Sequence, residues 1–236
     1  MYFIYNGKDS RDFNIKIKEI NNLSSPQRSI ETFTVPGRNG EVVIDNRNFE
    51  NFVLSIECYL DCTNKDKNNT SREIKKWLQS DFSYNELICS DDLDFYYEAY
   101  CDTKLDFEYV SKNFESFLIS FNCKPYKKKI DEDVIVINEP SVIYNNYMES
   151  NPLIKVVGTG DIVVNINNQK LILKDLENEI EVDCEIMNAY KKVNEDIVLL
   201  NNKMYSDFPI LEHGENNISF EGDVARIEIV PRWVVL

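Results

Sequence analysis

Phe52-Val-Leu-Ser-Ile-Glu-Cys-Tyr-Leu60 places Phe52, Leu54, Ile56, Cys58 and Leu60 at every second position. Side chains alternate only along an extended strand, so this spacing predicts a β-strand with one face in a core. Ala225-Arg-Ile-Glu-Ile-Val230 repeats the pattern near the other end of the chain. Between and around them lie short β-branched and aromatic runs broken by Asn, Asp and Gly. These are Phe13 to Ile20, Ser29 to Val35, Leu93 to Tyr100, Phe114 to Cys123, Leu153 to Val157, Ile162 to Ile166, Lys170 to Leu173 and Ile218 to Phe220. Such a series predicts a mainly β protein of antiparallel sheets, of the sandwich or barrel kind. Phe95, Tyr97 and Ala99 fall on one face and are expected in the core.

One segment breaks the period. Thr70-Ser-Arg-Glu73 has the form of a capping box, and Ile74, Trp77 and Leu78 share a helical face, which predicts a short helix ending near Ser80 with Trp77 as a packing anchor. Two turns are legible. Pro36-Gly-Arg-Asn-Gly40 supplies residues that accept positive φ, and Asn167-Asn168 fits a two-residue hairpin turn. The charged stretch Lys127 to Asp133 reads as a solvated linker, which divides the chain into 1-130 and 131-236. An alternative cut lies near Asn151, with Val134 to Tyr147 crossing between the halves.

Composition narrows the function. Among 236 residues, 41 acidic against 26 basic give a formal charge of -15, a surface that repels phosphates and argues against specific nucleic-acid binding. No apolar run reaches the length of a membrane span, and the first residues lack a signal-peptide core, so synthesis in a cytoplasm is expected. Cys58, Cys62, Cys89, Cys101, Cys123 and Cys184 mostly sit in strand-like patterns, where buried reduced thiols are expected, and their spacing matches no zinc site. His213 is the single histidine, in Leu211-Glu-His-Gly214 after Pro209, and reads as a turn. Asp91-Asp92-Leu-Asp94 lacks the glycine and distal glutamate of a calcium loop and reads as the solvated start of a strand. No residue is therefore assigned a catalytic, cofactor or metal role, and the expectation is a protein that is not an enzyme. Thirteen tyrosines and thirteen phenylalanines leave a carbohydrate-binding sandwich as the competing class.

The order of several short motifs resembles the distal tail protein (Dit) family of siphophages and related tail components of Gram-positive phages and prophages. In the first half these are Phe3-Ile-Tyr-Asn-Gly7, Ser10, Ile15 and Ile17, Arg28, Val35-Pro-Gly-Arg-Asn-Gly40, Trp77-Leu78 and Ile119-Ser-Phe-Asn-Cys-Lys-Pro-Tyr126. The second half adds Asn151-Pro-Leu-Ile-Lys-Val156, Gly158 to Asp161, Val182-Asp-Cys-Glu-Ile-Met-Asn-Ala-Tyr190, Phe208-Pro-Ile-Leu211, Gly214-Glu-Asn-Asn-Ile218 and Pro231-Arg-Trp233. The resemblance implies a virion structural protein of the tail tip or baseplate. Its first domain would be sandwich-like, with one helix and an extended hairpin arm, and would form a ring. Its second would be a galectin- or carbohydrate-module-like β-sandwich. It further implies a homo-hexamer joining the tail tube protein to a tail-associated hub or lysin protein, with a receptor-binding protein as a further partner. Phage, prophage and phage-tail-like bacteriocin remain equally open. The same resemblance puts Pro36, Gly37, Arg38, Asn39 and Gly40 at the arm turn, as a subunit contact.

Overall fold

The computed structural model describes residues 1–20, 24–63, 66–194 and 196–236, and the chain is mainly β. It divides into two compact units, Met1–Ile130 with Leu236, and Asp131–Val235.

In the first unit the strands are β1 (Phe3–Tyr5), β2 (Lys8–Asp9), β3 (Ile15–Ile20), β4 (Arg28–Thr34), β5 (Glu41–Phe49) and β6 (Phe52–Asp61). After helix α1 (Lys67–Gln79) come β7 (Asn85–Cys89), β8 (Asp92–Tyr100), β9 (Glu108–Ser111) and β10 (Phe114–Lys129). The main sheet runs β2-β1-β7-β8-β10-β6-β3, with β9 also on β10, and every one of these pairings is antiparallel. Alternation along β6 does what the sequence requires: Leu54, Ile56, Cys58 and Leu60 are buried while Val53 lies open. Leu87, Tyr97, Ala99, Ile119 and Phe121 complete the same core, whereas Phe95, expected with them, is only half-buried and lies outside the cluster.

Helix α1 closes this core with Ile74, Trp77 and Leu78. Trp77 is clamped between rings: Phe13 stacks at 4.4 Å and Phe3 at 5.6 Å, and its indole N–H donates to the Tyr5 carbonyl at 3.0 Å. The helix begins a turn earlier than the Thr70 to Glu73 pattern predicts. Asp66 is the cap, its carboxylate accepting from the Asn69 amide at 3.0 Å, whereas the buried Thr70 hydroxyl donates back to the Asp66 carbonyl at 2.9 Å. A hydroxyl committed inside the helix cannot cap it.

Two further readings need correction. Phe13 ends a 3-10 turn, Ser10–Phe13, and Asn14 at φ 56° turns the chain before β3 begins. Lys127 to Lys129 are not linker but the last part of β10. They pair with Tyr97, Tyr96 and Phe95 beyond a bulge around Pro125, which has no N–H for the ladder. The lysines are held by carboxylates of β8: Lys127 meets Asp92 at 2.5 Å and Lys128 meets Glu98 at 3.0 Å. A charge run that reads as solvated is thus one half of a cross-strand ladder.

The second unit comprises β11 (Ile135–Ile137), β12 (Ser141–Asn145), β13 (Leu153–Ile166), β14 (Gln169–Leu176), β15 (Glu179–Asp183), β16 (Asn188–Val193), β17 (Asp196–Leu199) and β18 (Gly214–Val230). Four strands predicted as separate are two long ones. Leu153 to Ile166 is one strand, as is Gly214 to Val230, and both bend midway. The first half of β13 pairs with β15 and the second half with β14; β18 pairs with β12 near its start and β11 near its end. Both strands therefore serve two layers, β11-β18-β13-β15-β16-β17 and β12-β18-β13-β14.

The bends sit at bulges around Gly158 to Asp161 and Gly222. A Cβ on Gly158 would lie 2.4 Å from the Asp223 carbonyl oxygen, and one on Gly222 (φ 104°) would lie 2.4 Å from that of Asp161. The backbones approach too closely for a side chain. Ile154, Val156, Ile162, Val164, Ile166, Ile227 and Ile229 from both halves fill a single core. The Asn167 turn is as expected, with φ 52° between Ile166 and Gln169.

Candidate functional site

Strands β4 and β5 form a sheet of their own, apart from the main sheet of the first unit. They pair from Arg28↔Phe49 out to Thr34↔Glu41, and Pro36 to Gly40 turn the chain between them. Gly37 and Gly40 have φ of 80° and 82°, in the left-handed region open to glycine at no cost, and the space about both is empty. Within the turn the Arg38 amide donates to the Val35 carbonyl at 3.1 Å. Every residue from Val35 to Glu41 is exposed.

The base of this hairpin is tied down more firmly. Gln27 accepts from the Glu50 amide at 2.8 Å, and Phe49 meets Tyr126 edge-on at 5.9 Å. Arg28 forks onto Asp45 at 3.1 and 2.6 Å and lies over the Phe49 ring. The register slips between Arg28 and Ile30, so Asn46, Arg47 and Asn48 form a bulge. Arg47 there holds φ 58°, and its amide donates to Asp45 at 2.9 Å. The Arg28 fork and the Arg47 amide hold the Asp45 carboxyl below the usual carboxylate range.

A two-stranded ribbon has no interior. Cross-strand pairing puts Phe33, Val42 and Ile44 on one face and Ile30 and Val43 on the other. Ile30, Phe33, Val43 and Ile44 remain 47 to 59% exposed. Isolated hairpins are marginal in water, and apolar side chains on both faces are what a ribbon shows when another surface covers it. These four residues, and Arg47 on its bulge, are missed by a sequence reading that stops at the glycine turn. The signal is present in Ser29 to Val35, where apolar residues do not keep to alternate positions.

The residues weighed for chemistry belong to separate units. His213, exposed in the second unit, has Nδ1 at 2.8 Å from the Tyr147 carbonyl oxygen, whereas Asp92 belongs to the first unit and is paired with Lys127. All six cysteines are free thiols, five buried and Cys62 half-buried. Among the described residues no group of three or more His, Cys, Asp or Glu is placed to hold a metal, and no helix is long and apolar enough to cross a membrane. A groove of about 300 Å³ in the second unit is lined by Leu176, Val193, Val198 and Leu200 together with lysines and carboxylates in equal number, and no aromatic ring is among the described residues that line it.

Fold and ribbon together define a mainly β protein of two units, the first of which carries an exposed two-stranded ribbon with apolar side chains on both faces. The phage tail protein RIFT-related domain matches residues 3–123, and the chain belongs to that family of phage tail proteins. Over its whole length it has the fold seen in the crystal structure of the Dit (gp 19.1) protein of SPP1, described as a paradigm of the hub adsorption apparatus in phages infecting Gram-positive bacteria. The TM-score is 0.77 at 14% identity, covering 100% of this chain and 99% of that one. At that identity the likeness is one of fold. No curated protein matches the sequence significantly.

Proposed function

We propose that the chain is the distal tail protein of a phage or of a phage-tail-like particle, made in the bacterial host cytoplasm and built into the tail tip. Six copies close into a ring that ends the tail tube and docks the hub or lysin protein, with receptor-binding protein attached through that hub. In this reading residues 1-130 build the ring and residues 131-236 form a second β-sandwich domain. The observation that carries the proposal is the agreement in fold across both units and nearly the full length of SPP1 Dit, not of one domain alone. Membership of a phage tail family supports it. Physical chemistry favours closure as well, because a cyclic assembly covers apolar ribbon faces without growing an open fibre.

The arm turn, Pro36 to Gly40, is assigned to the contact between neighbouring copies. Mass photometry over a range of concentrations tests the whole reading. The expected species is about 166 kDa, six times the 27.7 kDa of one chain. A monomer at every concentration, alone and mixed with the tail tube and hub proteins of its own gene cluster, would overturn it.

A further inference from the structure

The arm differs from the rest of the chain in charge as well as in exposure. Between Arg28 and Phe49 there are three of the chain's seven arginines and no lysine, balanced by Glu31, Glu41 and Asp45. The arm is therefore neutral, and the whole formal charge of -15 lies on the remainder of the chain. A surface that must lie against another copy of so acidic a protein would be repelled if it shared that charge. Arginine suits such a contact, since its planar fork can bind a carboxylate through two bonds and is less firmly hydrated than an ammonium.

The three arginines are placed differently. Arg28 is spent inside the arm, on Asp45. Arg38 stands at the tip, between the two positive-φ glycines, in open surroundings. Arg47 stands near the base on a bulge that a non-glycine residue enters only at a cost of about 1 kcal/mol or more. Asp45 braces that bulge by accepting from the Arg47 amide, and Asn46 ties it to the Ser29 hydroxyl at 3.2 Å. The bulge is exposed and held in place, so it aims the Arg47 side chain away from the ladder, where another surface can meet it.

We infer that Arg47 and Arg38 are two cationic anchors, at the base and tip of the arm, that bind carboxylates on an acidic surface of a neighbouring copy, with the apolar ribbon between them. This rests on the ring reading and adds to it the chemistry of recognition: closure is partly electrostatic and weakens as salt rises.

The test compares the full-length chain with Arg47→Gly, Arg38→Ala and the double variant Arg38→Glu/Arg47→Glu by sedimentation velocity between 50 and 500 mM salt, a range over which the Debye length shrinks from about 14 Å to about 4 Å. Glycine at 47 accepts the observed φ, so that variant removes the guanidinium and relieves the backbone; circular dichroism and melting confirm that each variant is folded. Each single change is expected to weaken assembly roughly tenfold or more, and the double reversal to abolish it at low salt. Wild-type assembly should weaken with salt, and Arg47→Gly should show a shallower dependence. Variants that assemble as the wild type does, with the same salt dependence, would overturn the anchors and leave the ring standing. A wild-type chain that never assembles, either alone or mixed with the tail tube and hub proteins of its own gene cluster, overturns both.

Discussion

At the scale of single residues, the second unit depends on one fork. Arg232, at φ 55°, places its guanidinium on Asp183 with contacts of 2.6 and 2.8 Å. The Glu132 carboxylate meanwhile accepts from the amides of Arg232 and Trp233. Asp183 is buried, and it also receives the amides of Glu185 and Ile186 that shape the turn into β16. Burial alone would raise its pKa, but the Arg232 fork and the amides outweigh that and hold it below the ordinary value. A carboxyl depressed in the folded state contributes stability that is complete above its unfolded pKa of about 3.9 and is lost as pH falls through the folded value. Asp183→Asn is therefore expected to cost about 1–3 kcal/mol near neutrality, because Arg232 loses its fork and keeps only Glu185, at 3.3 Å, as an ionised partner. Urea unfolding at descending pH should show the gap between the two proteins closing below pH ~4. A gap that stays constant down to strongly acid pH would remove the ion pair from the account.

Among the elements, the arm carries the most direct consequence. Gly37 and Gly40 meet nothing, so a side chain there collides with no neighbour, but β-branched residues resist φ near 80°. Replacing both with valine is expected to destabilise the hairpin tip and impair assembly, while the melting temperature of the main sheet hardly moves; assembly unchanged from wild type would take the turn out of the contact. The arm also shows where sequence reading stops. Strict alternation in β6 and in the end of β18 made those strands legible, because burial on one face leaves a period of two. The helix face was legible from Ile74, Trp77 and Leu78, but its start was not, because Asp66 and Thr70 are both capping residue types and only the fold decides between them. The joining of Leu153–Val157 to Ile162–Ile166 was hidden by Gly158 to Asp161, which interrupt the apolar pattern but form a bend within a continuous strand. The arm's apolar surface was hidden because Ile30, Phe33, Val43 and Ile44 are not buried within the chain, and the period of two records only burial.

For the molecule as a whole, the cysteines give a measure of how closed the two cores are. Burial pushes the Cys58, Cys89, Cys123 and Cys184 thiols up to about 12, and raises Cys101 and Cys62 as well. The thiolate is the reactive form, so these groups are protected twice, by access and by protonation. With a disulfide reagent at pH ~8, near the ordinary thiol pKa, Cys62 is expected to react first. The buried five should react only as fast as the protein opens, and all six at once in denaturant. Rapid reaction of several thiols in the native protein would contradict the packing described. That these thiols are reduced and mostly buried was readable from their places in strand patterns. Which strands share a layer was not, because partner choice is set by contacts far apart in sequence.

The two bent strands of the second unit carry a mechanical implication. Since β13 and β18 run unbroken from one layer into the other, the sandwich has no seam along which its faces could peel. Tension applied to either end passes through both layers along covalent backbone and must shear several ladders together. A part built this way yields late and all at once, which suits a component through which force is handed on.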